Sequence, residues 1–359
     1  MSAPNSNSKR WTATFPWWRW LLLTVFLTVI AALLFAWQFY SSYQTFLTQT
    51  GLSSQQLLTM WRQAQVTTPR GHDGQTTILI LGTDTLATRT GSLPLTDTII
   101  LANLEPAAGQ IRLLSIPRDT VLPGMTSRIN AIYPSFYQQA TASAREKTAE
   151  QLSQRLHVPI DYTLLVTMDD VKAFIDLMGG VDVQVQTSFV DYQYPRDDVD
   201  VTRVFDPALL YETVEFTAGP AHLDGAAALK FMRSRHAQNS EGSDFARSAR
   251  QQQVITALTL TLGERLQKQL ATYDLTLVGQ CYQFYQERFA AQLSFVDSLA
   301  LVWRFLPAGR PPQITSESLS VNTSSSAIQE NKSDYTLRVV QPAAFYQEIK
   351  EKLAIKSEQ

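Results

Sequence analysis

A single cysteine, Cys281, among 359 residues leaves no disulfide within this sequence and no cysteine cluster of the zinc-finger kind. It reads as a small, buried or half-buried side chain. Histidine is nearly as scarce: His72, His157, His222 and His236 are scattered, and no Ser-His-Asp arrangement is legible. Neither sign of charge dominates, the formal net charge being -2, which argues against bulk nucleic-acid binding. Nor is there an internal repeat. With 45% hydrophobic residues, the chain can build one large or two small cores.

The most informative absence is local. No charged side chain occurs from Trp20 to Trp61, and the run WLLLTVFLTVIAALLFAWQFY, Trp20 to Tyr40, reaches the roughly 20 residues that a bilayer core demands of a helix. Trp17, Trp18 and Trp20 at one end and Trp37 and Tyr40 at the other resemble the aromatic belts of a membrane span. Lys9, Arg10 and Arg19 precede the run and no acid does. The positive-inside rule therefore predicts a cytoplasmic N-terminus, a single-pass anchor in the cytoplasmic (inner) membrane, and export of everything after Tyr40. A cleaved signal peptide is the competing reading, disfavoured because its apolar core spans only about 7 to 15 residues and ends in an A-x-A-like site.

The organisation expected is a tail over 1–19, a membrane helix over 20–40, a Gln/Ser/Thr-rich stalk over 41–76, a catalytic domain over 77–308, and a C-terminal segment over 309–359. That last segment combines a Ser/Thr-rich linker with a final strand and helix. Within the stalk, Ser53 to Gln65 reads as a short helix that Ser53 caps. TILIL, Thr77 to Leu81, is a buried strand running into a Gly/Thr-rich loop that carries Asp84 and Arg89. Thr98 to Leu104 and Gln110 to Ile116, joined by EPAAG, form a hairpin ending in Pro117-Arg118-Asp119. Residues 141–157 have helical composition. Tyr162 to Thr167, Met168 to Met178 and Val181 to Val185 read as strand, helix and strand, with Gly179-Gly180 stopping the helix. Residues 187–220, acidic and aromatic, follow no regular period. Helical patterns return from 245 to about 305.

Chemistry concentrates in Leu223 to Gln253, where Arg233, Arg235, Arg247 and Arg250 lie close together with His236 and Gln251. Ser243 and Asp244 offer N-caps to a helix bearing Arg247, Arg250 and Gln251 in its first turns, spaced to share a face. Guanidinium forks converging at a helix N-terminus suit a phosphate or pyrophosphate. A solvated basic face fits the same residues. Asp84 and Asp97 fall in the loop after one strand and at the start of the next. Their carboxylates suit Mg²⁺, which shares its coordination with substrate phosphates, and equally suit turns and caps.

Six blocks, ILILGTDT, LTDTIILANLEPAAGQIRLLSIPRDT, SRINAIYPSFY, YTLLVTMDDVKAFIDLMGGVDVQV, LDGAAALKFMRSR and DFARSARQQQVI, closely resemble the LytR-CpsA-Psr family in content and order over about residues 77–265. The resemblance implies an α/β fold, a central mixed β-sheet flanked by helices and preceded by one transmembrane helix. It also implies a Mg²⁺-dependent phosphotransferase that moves a glycopolymer from a polyprenyl-pyrophosphate carrier to a peptidoglycan hydroxyl, through a site that can show pyrophosphatase activity. By motif position it makes Asp84 and Asp97 metal carboxylates, and Arg118, Arg233, Arg235, Arg247 and Gln251 pyrophosphate ligands. Asp119 joins Asp84, Asp97 and Arg118 in the catalytic set, and Arg128 is a further ligand candidate. One departure stands out: the family often has Arg two residues before the second metal Asp, and here that position is Leu95.

The expected partners are thus a polyprenyl-pyrophosphate-linked glycan, a peptidoglycan acceptor and the membrane, with no nucleic acid. The lipid needs an apolar slot, for which the Phe174/Ile175/Met178 stripe, Ile132 to Tyr137 and Val254 to Leu262 are candidate walls and equally plain core. Two other readings compete. A membrane-bound transcriptional attenuator or regulator is disfavoured because the tail carries no DNA-reading element, and a non-catalytic polyprenyl-phosphate binding protein finds its support in Leu95.

Overall fold

The computed structural model describes residues 17–83, 95–140, 143–196, 199, 204, 206–289, 292–305, 312–321, 327–331 and 336–355. The chain opens with helix α1 (Trp17–Thr50) and α2 (Ser54–Val66). Ser53 starts α2 with a capping box, its side chain accepting from Gln56 N while the Gln56 side chain accepts from Ser53 N. Strands β1 (Thr76–Thr83), β2 (Thr96–Glu105) and β3 (Gln110–Ser115) follow. Gly109 turns the β2–β3 hairpin at φ 64, a left-handed position that costs glycine nothing. Next come β4 (Thr120–Val121), α3 (Ile132–Gln139), α4 (Ala144–Leu156), β5 (Tyr162–Thr167), α5 (Met168–Leu177) and β6 (Val181–Val185). The aperiodic stretch resolves into β7 (Phe189–Pro195), a single turn α6 (Pro207–Leu210), β8 (Tyr211–Phe216) and β9 (Gly219–Leu223). Helices α7 (Gly225–Arg233), α8 (Asp244–Ala271), α9 (Thr276–Arg288) and α10 (Phe295–Phe305) precede β10 (Gln313–Ser318), β11 (Ile328–Asn331), β12 (Thr336–Val339) and α11 (Pro342–Leu353).

The central sheet has five strands in the order β10-β3-β2-β1-β5. It is mixed: β1 and β2 are antiparallel, as are β2 and β3, while β5 runs parallel to β1 and β10 parallel to β3. The expected strand, helix and strand of residues 162–185 all form, but not in one sheet. β5 belongs to the central sheet, and β6 pairs antiparallel with β9, because Gly179 and Gly180, at φ 73 and 102, turn the chain away after α5.

Two apolar clusters make the core. One lies between the central sheet and helices α3, α4 and α11, and includes Leu79, Leu81, Leu101, Leu152, Phe345 and Leu353. The other joins α5, β6, α7 and α8 through Ile175, Val183, Leu229, Phe231 and Val254. Burying each such side chain contributes about 1.5–3 kcal/mol. Part of each candidate wall of a lipid slot is core, while Tyr137 and Leu260 are exposed. Ile175, Met178 and Val254 are almost wholly buried, as are Ile132 and Tyr133, and the Phe174 ring lies tilted against Phe284, centroids 5.0 Å apart.

Two expected boundaries move. The segment 309–359 is no appendage, since β10 forms an edge of the central sheet and β12 pairs with β4. Phe345, Ile349 and Leu353 of α11 are fully buried in the first cluster. The stalk is also docked. α1 continues past Tyr40 to Thr50 and buries Phe46, and α2 packs on α10 through Trp61 and Trp303, ring centroids 4.8 Å apart. Both segments carry apolar side chains at helical or strand spacing, and these find partners that a linear reading cannot supply. Most of the apolar run of α1 stays exposed, and the helix is long enough to cross a membrane.

Candidate functional site

The site is built where β1 ends and β2 begins. Gly82 lies opposite Thr98 and Thr83 opposite Thr96, with an irregular step between them. A Cβ on Gly82 would stand 2.8 Å from the Thr98 Cβ, so only glycine lets the two strands close at this point. Asp97 follows Thr96, its carboxylate largely buried. Its Oδ1 accepts from Arg118 Nη1 at 2.7 Å, Arg118 Nε donates to Asp119 Oδ2 at 3.3 Å, and Arg128 Nη1 donates to Asp119 Oδ1 at 2.6 Å. Acid and base thus alternate along Asp97, Arg118, Asp119 and Arg128. The backbone holds this row in place, with Asn130 N donating to Arg118 O and the Thr96 hydroxyl to Asn130 O.

The second half comes from α7, α8 and β7. Ser243 caps α8 by accepting from Ala246 N, and its first turns bury Arg247 and Gln251 at 5% and 7% exposure. The Gln251 amide oxygen accepts from the Thr98 hydroxyl at 3.2 Å, tying α8 to β2. Arg233 Nη1 donates to the Tyr194 hydroxyl at 2.9 Å, with its guanidinium 5.5 Å from the Tyr194 ring centroid.

Arg250 departs from the shared face expected for it. It is buried away from the site, donating to Phe231 O, to Glu241 O and Oε2, and to Ser234 O, and its guanidinium lies 4.7 Å from the Phe189 ring centroid. Burial pulls its pKa below the usual arginine value, partly offset by the Glu241 carboxylate. A step of three residues on a helix turns a side chain by less than a full turn. Here that separates a site residue, Arg247, from a structural one.

Two adjoining cavities share Asp97, Arg247 and Gln251 as a common wall. One, of about 340 Å³, adds Arg118, Asp119 and Ser248; the other, of about 320 Å³, adds Arg233, Arg235 and His236. Arg128 lines neither and instead braces Asp119. Leu95 stands exposed just before β2. Asp84 and Arg89 lie outside the described residues. The arrangement can neutralise a polyanion with two phosphates, one on each side of the shared wall. Among the described residues no group of three or more His, Cys, Asp or Glu converges, so no closed protein cage for a metal exists there. Asp97, a hard oxygen donor facing both cavities, fits the lesser demand of Mg²⁺, which takes one or two carboxylates and completes its shell with water and phosphate.

Asp191 and Tyr194 escaped the sequence reading because they sit in the aperiodic stretch. Asp191 is fully buried, and its Oδ2 accepts from the Ser234 hydroxyl, Arg235 N and His236 N at 2.6, 3.0 and 3.2 Å. It thereby shapes the turn that presents Arg235. Burial pushes its carboxyl up, but the Ser234 hydroxyl and the backbone N–H groups of Gln193, His236 and Arg235 outweigh this and hold it below the ordinary carboxylate range. A carboxyl lowered in the folded state stabilises fully above its unfolded pKa, about 3.9, and loses that contribution as pH falls through the folded value. Unfolding free energies compared between wild type and Asp191→Asn should therefore differ most above about pH 4 and converge in more acid solution. A difference independent of pH would count against the charged turn.

A profile of the LytR_cpsA_psr family matches residues 41–273. The polyisoprenyl-teichoic acid–peptidoglycan teichoic acid transferase TagV of Bacillus subtilis (strain 168) is 32% identical over 187 residues, 50% of this chain and 42% of that protein. TagU of Oceanobacillus iheyensis, which carries the same transferase description, is 32% identical over 183 residues, 50% of this chain and 49% of that protein. The chain spans about half the length of the curated relatives it matches. Among solved structures, crystalline B. subtilis TagV superposes with a TM-score of 0.53 at 21% identity, over 80% of this chain and all of that one. TagT bound to LIIa-WTA superposes at 0.51 with 18% identity, over 81% and 93% of the two chains.

Proposed function

Because the chain belongs to the LytR-CpsA-Psr family, we propose that it is a membrane-anchored phosphotransferase moving a phosphoglycosyl unit from a polyprenyl-pyrophosphate carrier to a peptidoglycan hydroxyl. The observation that carries this reading is the shared wall of Asp97, Arg247 and Gln251, flanked by Arg118 on one side and by Arg233 and Arg235 on the other. A diphosphate presents two charged groups in line, and displacement at phosphorus needs mainly positioning and neutralisation of charge. The acceptor oxygen bonds to the sugar-side phosphorus, the bridging P–O bond breaks, polyprenyl phosphate leaves, and the acceptor's proton is released. Arg233, Arg235 and Arg247 would hold the equatorial and leaving oxygens. Asp97, with Asp84, would hold Mg²⁺, which when bound supplies further charge neutralisation to the phosphates. Asp97 is kept in place for this by Arg118, which Asp119 holds, and Asp119 is braced in turn by Arg128.

In this reading α1 anchors the protein with its N-terminus in the cytoplasm and the globular part outside. A reporter fused at the C-terminus would then be active only outside the cytoplasm. A carrier-lipid binder without turnover is favoured by one observation, the exposed Leu95 where the family often has Arg. Product release from a polyprenyl pyrophosphate separates the two. The transferase should liberate phosphate or polyprenyl phosphate only with Mg²⁺ present, and binding without release would leave only the binder. In the same preparation Arg235→Ala should weaken binding roughly ten- to a hundredfold, and Arg235→Lys should recover little of it, since an ammonium cannot make a two-pronged contact.

A further inference from the structure

The turn between α8 and α9 lies against the apolar part of α1. Tyr273 takes φ 56, and its ring meets Phe35 edge-on, centroids 4.3 Å apart, and Phe39 at 6.3 Å. Gln38 donates to Thr272 O at 3.4 Å, and Leu275 N donates to the Ser42 hydroxyl at 2.7 Å. Farther along, a Cβ on Gly279 would come within 2.6 Å of Gln49 Oε1, so α9 is packed closely on α1. At 1.5 Å per residue, the level of Phe35 is about 7 Å inside the end of the apolar run at Tyr40. If α1 spans a bilayer, this turn reaches the boundary between headgroups and acyl chains, where amphipathic elements settle about 5–10 Å deep.

The chemistry of the turn suits that depth. Leu270, at the end of α8, and Tyr273 are exposed, at 50% and 43%. Six successive backbone N–H groups, Thr272 to Leu277, all donate within the protein, to Gln269 O, Leu270 O, the Ser42 hydroxyl, Asp274 Oδ1 and Gln269 Oε1. An exposed turn in water has no need of this. One that leaves water does, because each unsatisfied amide there costs several kcal/mol. Lys268, exposed one turn earlier, falls where a phosphate headgroup would meet it.

We infer that the α8–α9 turn is a second membrane contact that seats Leu270 and Tyr273 in the lipid interface and docks the domain on the bilayer. α8 then acts as a strut: Arg247 is 24 residues from Ala271, so the arginines stand at most about 36 Å from the interface. The inference rests on α1 being a membrane span, and the test separates the two. The full chain, with Cys281→Ala, is reconstituted in vesicles of phosphatidylcholine and phosphatidylglycerol containing nitroxide lipids labelled high on the acyl chain. A fluorophore is attached through Tyr273→Cys, Leu270→Cys, Leu34→Cys or Glu215→Cys in turn, the Leu270 variant keeping the tyrosine ring. Quenching severalfold stronger at 273 and 270 than at 215, together with quenching at 34, is the result expected. Quenching at 34 with 273 and 270 no different from 215 overturns the contact and leaves the anchor intact. No quenching at 34 overturns the anchor and the contact with it.

Discussion

Asp97→Asn is expected to lower Mg²⁺-dependent release from a polyprenyl pyrophosphate by at least about a hundredfold, the scale on which a preorganised charge-stabilising group acts. The carboxylate is the common wall of both cavities, so its charge bears on whatever phosphate lies on either side. The fold should scarcely notice. The asparagine oxygen can still accept from Arg118 Nη1, and Arg118 keeps Asp119, so the loss of stability should stay well below the roughly 3–5 kcal/mol of a broken buried pair. Steady-state release and thermal unfolding on the same preparation check both halves. Full activity in the variant removes Asp97 from the chemistry. A large fall in melting temperature would recast it as a structural anchor for Arg118.

Arg250→Ala should show the reverse pattern, a structural failure that reaches the site indirectly. The guanidinium is almost fully buried against Glu241. It also supplies donors to Phe231 O and Ser234 O, carbonyls at the end of α7 that have no later turn to satisfy them. Removing one partner of a buried ion pair costs about 3–5 kcal/mol, and the unpaired carbonyls add to that. A drop in melting temperature on the order of 10 °C follows. Pyrophosphate binding should weaken at the same time, because Arg250 joins the start of α8 to the turn carrying Arg233 and Arg235. Arg250→Lys cannot span these acceptors and should rescue little. A variant that melts like wild type but binds poorly would return Arg250 to the binding face.

The two arginines three residues apart show what local sequence can reveal. Composition, spacing and the Ser243 cap place Arg247, Arg250 and Gln251 in the first turns of one helix, and that much is local chemistry. Which of them meets a ligand depends on where the neighbouring elements lie. Arg250 turns toward α7 and Phe189 while Arg247 and Gln251 turn toward β2. Asp191 was illegible for a related reason. A carboxylate serving as acceptor for a turn more than forty residues away leaves no local periodicity, and β7 pairs with β8 through an irregular register.

The sequence alone was enough for the apolar run of α1, the β2–β3 hairpin, the Gly179-Gly180 stop and the family blocks. Each is set by a few neighbouring residues: uncharged length, a left-handed turn position, or a motif in a particular order. Only the tertiary structure decided that the stalk and the C-terminal segment belong to the packed domain, that the apolar stripe of α5 is core, and that Asp97 faces Arg118. It also separated the arginines that line the cavities from the one that holds α7 to α8. Those outcomes depend on which surfaces meet across long stretches of chain. That is decided by burying apolar area and satisfying buried polar groups over the whole fold, and no local window of sequence contains it.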